Sequence, residues 1–194
     1  NFLEIFMTNK ILCMTPVKHL DGVFDLFEGL GDVVYEPHVS KNELITILKD
    51  KWIDRIFTNP NKQGFVLDDS VLAHSAVKII NTCSTGTNHI DMKFCSENGI
   101  DVWSLTKDFE LIEQLPSTSE LAFGLMCSLF RHIPAGFEDV KRGNWNYEPF
   151  VGKQIKDSSI GIIGFGRLGK IMKNYCDAFG MRVYIYDPFE GYTD

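Results

Sequence analysis

Two rhythms of apolar and polar positions alternate along the chain. Short apolar runs at residues 11–15, 33–35, 53–57, 77–82 and 100–104 have the length and β-branched content of strands. Helical spacing fills the gaps between them. Leu20, Val23, Phe24 and Phe27 share one face of a first helix, stopped by the glycines at 29 and 31. Ser40 caps a second helix carrying Leu44, Ile45, Ile47 and Leu48. Asp68 and Asp69 open a third through Val71 and Leu72, and residues 89–98 form a fourth. Strands separated this way by helices predict a parallel sheet with helices on both faces. Residues 117–141 then break the rhythm as one long helix rich in Leu, Phe and Met, and a second strand–turn–helix–strand unit begins at Ile160.

That second unit holds the most specific signal. Residues 158–169 read Ser-Ser-Ile-Gly-Ile-Ile-Gly-Phe-Gly-Arg-Leu-Gly, then comes a helical run, then a strand ending in Asp187. A dinucleotide needs each part. Gly164 permits the tight turn, Gly166 lets backbone approach a pyrophosphate, and Gly169 lets the helix pack closely on the sheet. The helix start offers free N–H groups and a positive dipole end. Asp187 can accept from both ribose hydroxyls, and its charge repels a 2′-phosphate. The following Pro188-Phe189-Glu190 supplies no arginine to accept one, so NAD is expected over NADP. The alternative is a glycine turn that binds nothing.

Composition narrows the class. There are 26 acidic against 19 basic residues, a net charge of −7, and no basic run, which disfavours nucleic acid or an anionic membrane as partner. No apolar stretch is long enough to span a bilayer. The first residues include an acid and no basic segment, unlike a signal peptide. Five scattered cysteines without a Cys-x-x-Cys suggest neither a disulfide framework nor a zinc site; no metal is expected, and a reducing cytoplasm is. Trp145, Tyr147, Pro149 and Phe150 read as packing residues of a loop. Met7 is a candidate true start, since the first strand pattern follows it.

The order of four segments resembles the D-isomer-specific 2-hydroxyacid dehydrogenases, a family that includes D-3-phosphoglycerate dehydrogenase. The segments are Cys83-Ser-Thr-Gly-Thr-Asn-His-Ile-Asp91, Ser117-Thr-Ser-Glu-Leu-Ala-Phe, Arg142-Gly-Asn-Trp145, and Gly161 to Gly169 with Tyr186-Asp187-Pro188. The resemblance implies two α/β domains with the active site between them. Residues 8–115 would be a flavodoxin-like or Rossmann-like substrate domain. Residues 116–194 would be the first half of a Rossmann NAD-binding domain, truncated on its C-terminal side, with two strands and an open sheet edge.

The resemblance also implies roles. Thr85 and Gly86 lie in the loop whose backbone N–H groups hold the substrate carboxylate, and successive amides after a parallel strand suit an anion. An ordinary βα turn would look the same. Arg167 and Leu168 match positions that meet the pyrophosphate, although Arg167 could be a solvated helix-start residue. Ser117 matches a position near the nicotinamide and serves equally as an N-cap, with Glu120 completing a capping box. Phosphoglycerate-specific relatives carry arginines after the third strand. Here Asn59, Asn61 and Lys62 could meet a polar tail, or simply form a turn. The family's catalytic Arg, Glu and His lie beyond Asp194, so no catalytic residue is assigned and the chain alone is expected to be inactive. His89, beside the carboxylate loop, reads as a helix-start residue. The function implied is NAD-dependent oxidation of the CH–OH group of a D-2-hydroxy acid, by a homodimer. The alternative is a non-catalytic, NAD-responsive regulatory protein on the same scaffold.

Overall fold

A computed structural model of the chain describes residues 9–60, 64–189 and 191–193. They form two units, residues 1–112 and 113–194.

The first unit is a five-stranded, wholly parallel sheet in the order β2-β1-β3-β4-β5. The strands are β1 (Lys10–Cys13), β2 (Asp32–Tyr35), β3 (Arg55–Thr58), β4 (Ile79–Thr82) and β5 (Asp101–Ser104). This is the doubly wound order in which ligands gather at the carboxyl ends of the strands. Register puts Val34, Leu12, Ile56, Ile80 and Val102 in one row across all five strands. That row packs with Leu44 and Leu48 of α2 (Lys41–Asp50), Val71 and Leu72 of α3 (Asp69–Leu72), and Cys95 of α4 (Met92–Glu97). On α1 (Val23–Glu28), Phe27 meets the Phe57 ring edge-on at 4.8 Å, and Phe24 meets Tyr35 at 5.2 Å.

Local chemistry explains the helix ends. Ser40 and Glu43 form a reciprocal capping box at α2. Leu20 lies outside α1, in the preceding turn. The fourth helix begins at Met92 rather than at residue 89, because Asp91 caps it by accepting from Phe94 N–H at 2.9 Å. Residues 83–91 are therefore a loop, pinned where Leu67 pairs with Ile90. A short helix, α5 (Phe109–Glu113), follows β5.

The second unit carries α6 (Ser117–Phe130), α7 (Ile133–Lys141), β6 (Ser159–Ile163), α8 (Arg167–Ala178), β7 (Arg182–Asp187) and β8 (Gly191–Thr193). The single long helix expected over 117–141 is two helices. Pro134 has no N–H for the Phe130 carbonyl, and its ring would clash there. His132 adopts φ 50 at the break, and the Phe130 carbonyl accepts from Lys153 N–H at 2.9 Å instead. Two strands were expected; β8 adds a third, antiparallel to β7. No helix among the described residues is long and apolar enough to cross a membrane.

Candidate functional site

Two sites can be built, one in each unit. In the second, β6 runs into a turn that only glycine fits at two points. Gly164 has φ +96, a left-handed conformation that side chains resist. A Cβ on Gly169 would stand 2.2 Å from the Gly164 carbonyl oxygen, so the start of α8 lies directly on the turn. Gly166 differs. It caps α8 in extended backbone, and a Cβ there would meet nothing within 4 Å. The turn does not need its bareness, and the space in front of it is open. The next amides, of Arg167, Leu168 and Gly169, are the first-turn donors that a helix cannot use itself. The first turn of α8 has no acidic residue to compete for them. Open space beside free amides at a helix start fits a pyrophosphate.

Asp187 ends β7 beside this turn. Its Oδ2 accepts from Phe165 N–H at 2.7 Å and its Oδ1 from Phe189 N–H at 2.9 Å. The carboxylate thus fixes the glycine turn from the neighbouring strand, and Gly164 N–H reaches Tyr186 O at 2.8 Å alongside it. The Arg167 guanidinium is not simply solvated: Nη1 donates to the Leu115 carbonyl at 2.5 Å. Ser117 is exposed as the first residue of α6. Pro116 precedes it as the cap, with no side-chain capping bond, so the capping box with Glu120 does not form. The serine that touches α8 is Ser119, which sequence reasoning passed over. It is buried, and its hydroxyl donates to the Leu168 carbonyl at 3.1 Å. A hydroxyl set in the apolar α6 was the only signal for it.

In the first unit, Asn59 directly follows β3, and Thr85 and Gly86 lie in the loop after β4, its neighbour, at the carboxyl edge of the sheet. Thr58 pairs with Thr82, so Asn59 and Cys83 are next past the register. Cys83 N–H donates to Thr58 O at 3.2 Å, and the Asn59 side chain hydrogen-bonds Cys83. Burial pushes the thiols of Cys13 and Cys83 up, away from thiolate chemistry. Thr85 and Gly86 are exposed on the loop. At the end of β1, the neighbour of β3, the buried Thr15 hydroxyl has no hydrogen-bond partner among the described residues. Asn61, Lys62, Glu190 and the alternative start at Met7 lie outside the described residues.

His89 closes this loop from within. Its Nε2 lies 2.9 Å from Thr82 Oγ1, which lies 2.8 Å from Ser84 Oγ, which donates to Gly86 O at 2.7 Å. The His89 carbonyl accepts from Leu67 N–H at 2.9 Å. Burial holds its imidazole below the usual histidine range, favouring the neutral ring. Among the described residues, no group of three or more His, Cys, Asp or Glu is placed to hold a metal ion.

Comparison with known proteins follows this division. The catalytic domain of the D-isomer specific 2-hydroxyacid dehydrogenases matches residues 6–108, and the NAD binding domain of that family matches residues 123–194. D-3-phosphoglycerate dehydrogenase of Methanocaldococcus jannaschii is 30% identical over 93% of this chain and 32% of its own length. Hydroxypyruvate reductase of Thermotoga maritima is 32% identical over 83% of this chain and 50% of its own. The chain thus spans between about a third and a half of these curated relatives. The glyoxylate reductase of Paecilomyes thermophila superposes with a TM-score of 0.75 at 19% identity, over 94% of this chain and 56% of that one. A D-lactate dehydrogenase of Aquifex aeolicus, solved with NAD and lactic acid, gives 0.71 at 24%, over 93% and 51%. Both share the fold.

Proposed function

We propose that this chain, which belongs to the D-isomer specific 2-hydroxyacid dehydrogenase family, serves an NAD-dependent oxidoreductase acting on the CH–OH group of a small D-2-hydroxy acid. In this reading residues 8–115 face the substrate and residues 116–194 bind the cofactor. The observation that carries it is the open cradle at Gly166, bounded by the α8 amides and by a turn that Asp187 holds from β7.

NAD bound here would supply the hydride acceptor for C2 of the acid. The chain's own residues bind and orient. Amides of Arg167, Leu168 and Gly169 take the pyrophosphate, Gly164 and Gly166 keep the turn clear of side chains, and Asp187 takes the ribose hydroxyls. Ser117 stands at the nicotinamide end. In the first unit, amides of Thr85 and Gly86 hold the carboxylate, and Asn59 meets the rest of the acid. The relatives' names, phosphoglycerate dehydrogenase and hydroxypyruvate reductase, both fit an acid with an oxygen function at C2. The acid–base group is not drawn from this chain's histidines.

A cytoplasmic homodimer completes the proposal. Leu121, Leu125 and Leu129 on α6, and Ile133 and Phe137 on α7, recur every four residues within their helices, each more than half exposed, and a second copy would cover these apolar faces. Titration calorimetry of the chain with NAD and with NADP tests the cofactor site. Measurable binding of NAD and weaker binding of NADP is expected. Equal binding, or none, would refute it.

A further inference from the structure

We infer that His89 is a positioning residue for the carboxylate loop: as a neutral Nε2–H donor it drives a one-way hydrogen-bond chain through Thr82 and Ser84 to the Gly86 carbonyl, fixing the 86–87 peptide. The inference rests on the reading that this loop takes the substrate carboxylate.

Proton counting sets the direction. A carbonyl oxygen only accepts, so the Ser84 hydroxyl spends its one hydrogen on Gly86 O. Between Thr82 and Ser84, Thr82 must then be the donor, at 2.8 Å. Thr82, 1% exposed, has no hydrogen left, so the atom 2.9 Å from its oxygen has to donate, and that atom is His89 Nε2. Nδ1 is buried with no hydrogen-bond partner among the described residues. A proton there would be a buried donor without an acceptor, which costs more than an unused lone pair. The ring is therefore the neutral Nε2–H form, and burial favours the same state.

The chain ends where binding geometry is decided. Every described peptide bond is trans, so a Gly86 carbonyl turned toward Ser84 directs the Thr87 N–H away from it. Reversing the donor at His89 would free the Ser84 hydroxyl and release that peptide. Asp91 N–H and Leu67 N–H close the loop onto residue 67, so His89 enters at a fixed position rather than as a surface rotamer.

Long-range proton–nitrogen NMR on the chain reads the tautomer directly, and titration with oxamate, a 2-oxo-acid mimic, reads the loop through the amides of residues 84–87. The expected tautomer is Nε2–H. His89→Gln, which puts an N–H where Nε2 stands, should keep oxamate affinity within about twofold, and Thr82→Ser should do the same. His89→Leu and Thr82→Val should each weaken it about tenfold, the loss of roughly one well-placed hydrogen bond. Thr82→Val is nearly isosteric and serves where His89→Leu fails to fold. A Nδ1–H tautomer, or parent-like affinity in Thr82→Val, would overturn the relay while leaving the carboxylate reading intact. If oxamate shifts no amide in 84–87 of the parent chain, the carboxylate reading fails and takes the positioning role with it.

Discussion

The two units handle apolar surface in opposite ways. Among the described residues, the first holds twenty of the twenty-four buried apolar ones, around a row that crosses all five strands. Among its described residues the second buries four, Ile162, Cys176, Met181 and Ile185, and leaves the apolar faces of α6 and α7 bare, with Leu129 77% exposed. Parallel sheets are stable when both faces are covered. The first unit approaches that condition from its own residues; the second, with three strands, does not. Its glycine turn is nonetheless tightly specified backbone, because local sterics rather than core volume hold it. Order at a binding turn and burial in a core are separate achievements.

The largest expected effect tests burial. Leu44→Ala, at a site with no exposure, should destabilise the first unit by about 3 kcal/mol, whereas Val151→Ala, at an exposed position of the second unit away from α6 and α7, should stay within about 0.5 kcal/mol. Urea unfolding followed by hydrogen exchange in each unit measures both. Comparable losses would end the contrast. Next comes Gly169→Ala, whose Cβ meets backbone at 2.2 Å. It should cost about 2 kcal/mol in the second unit, abolish NAD binding and leave exchange protection in the first unit unchanged. Gly166→Ala should cost little stability, since its Cβ meets open space, and should still weaken NAD. A smaller effect belongs to Asp187→Asn. The amide oxygen can keep the bond from Phe165 N–H while the charge is lost, so the preference for NAD over NADP should narrow about tenfold, or about 1.4 kcal/mol.

The sequence pattern revealed the strands better than their surroundings. All five strands of the first sheet were legible because buried parallel strands read as apolar runs. The helix break at 131–132 had its signal in Pro134, outweighed by the apolar content on either side. β8 had none: three residues without periodicity become a strand only by pairing with β7. In the site, Gly164 and Gly169 were readable because a turn and a close approach demand glycine. Ser119 and the donor role of His89 were not, because both depend on atoms far along the chain or across a loop: Leu168 O for one, Thr82 Oγ1 for the other.

The smallest effect is a pH dependence confined to the first unit. His89 is held below its ordinary value of about 6.5 by burial. Between that lowered value and about 6.5, the unfolded chain binds a proton that the folded chain refuses. The slope of unfolding free energy with pH follows the excess of protons on the unfolded state, so stability rises with pH through this window. The His89 contribution is fully present above the unfolded value and is lost as pH falls through the window toward the folded one. His89→Gln keeps a donor and removes the titration, so its stability curve between about pH 5 and 7 should be flatter than the parent's, with the difference seen by exchange in residues 9–112 and absent from 113–189. Parallel curves would mean that the imidazole takes its proton without cost, and the buried, unpartnered Nδ1 would have to be solvated after all.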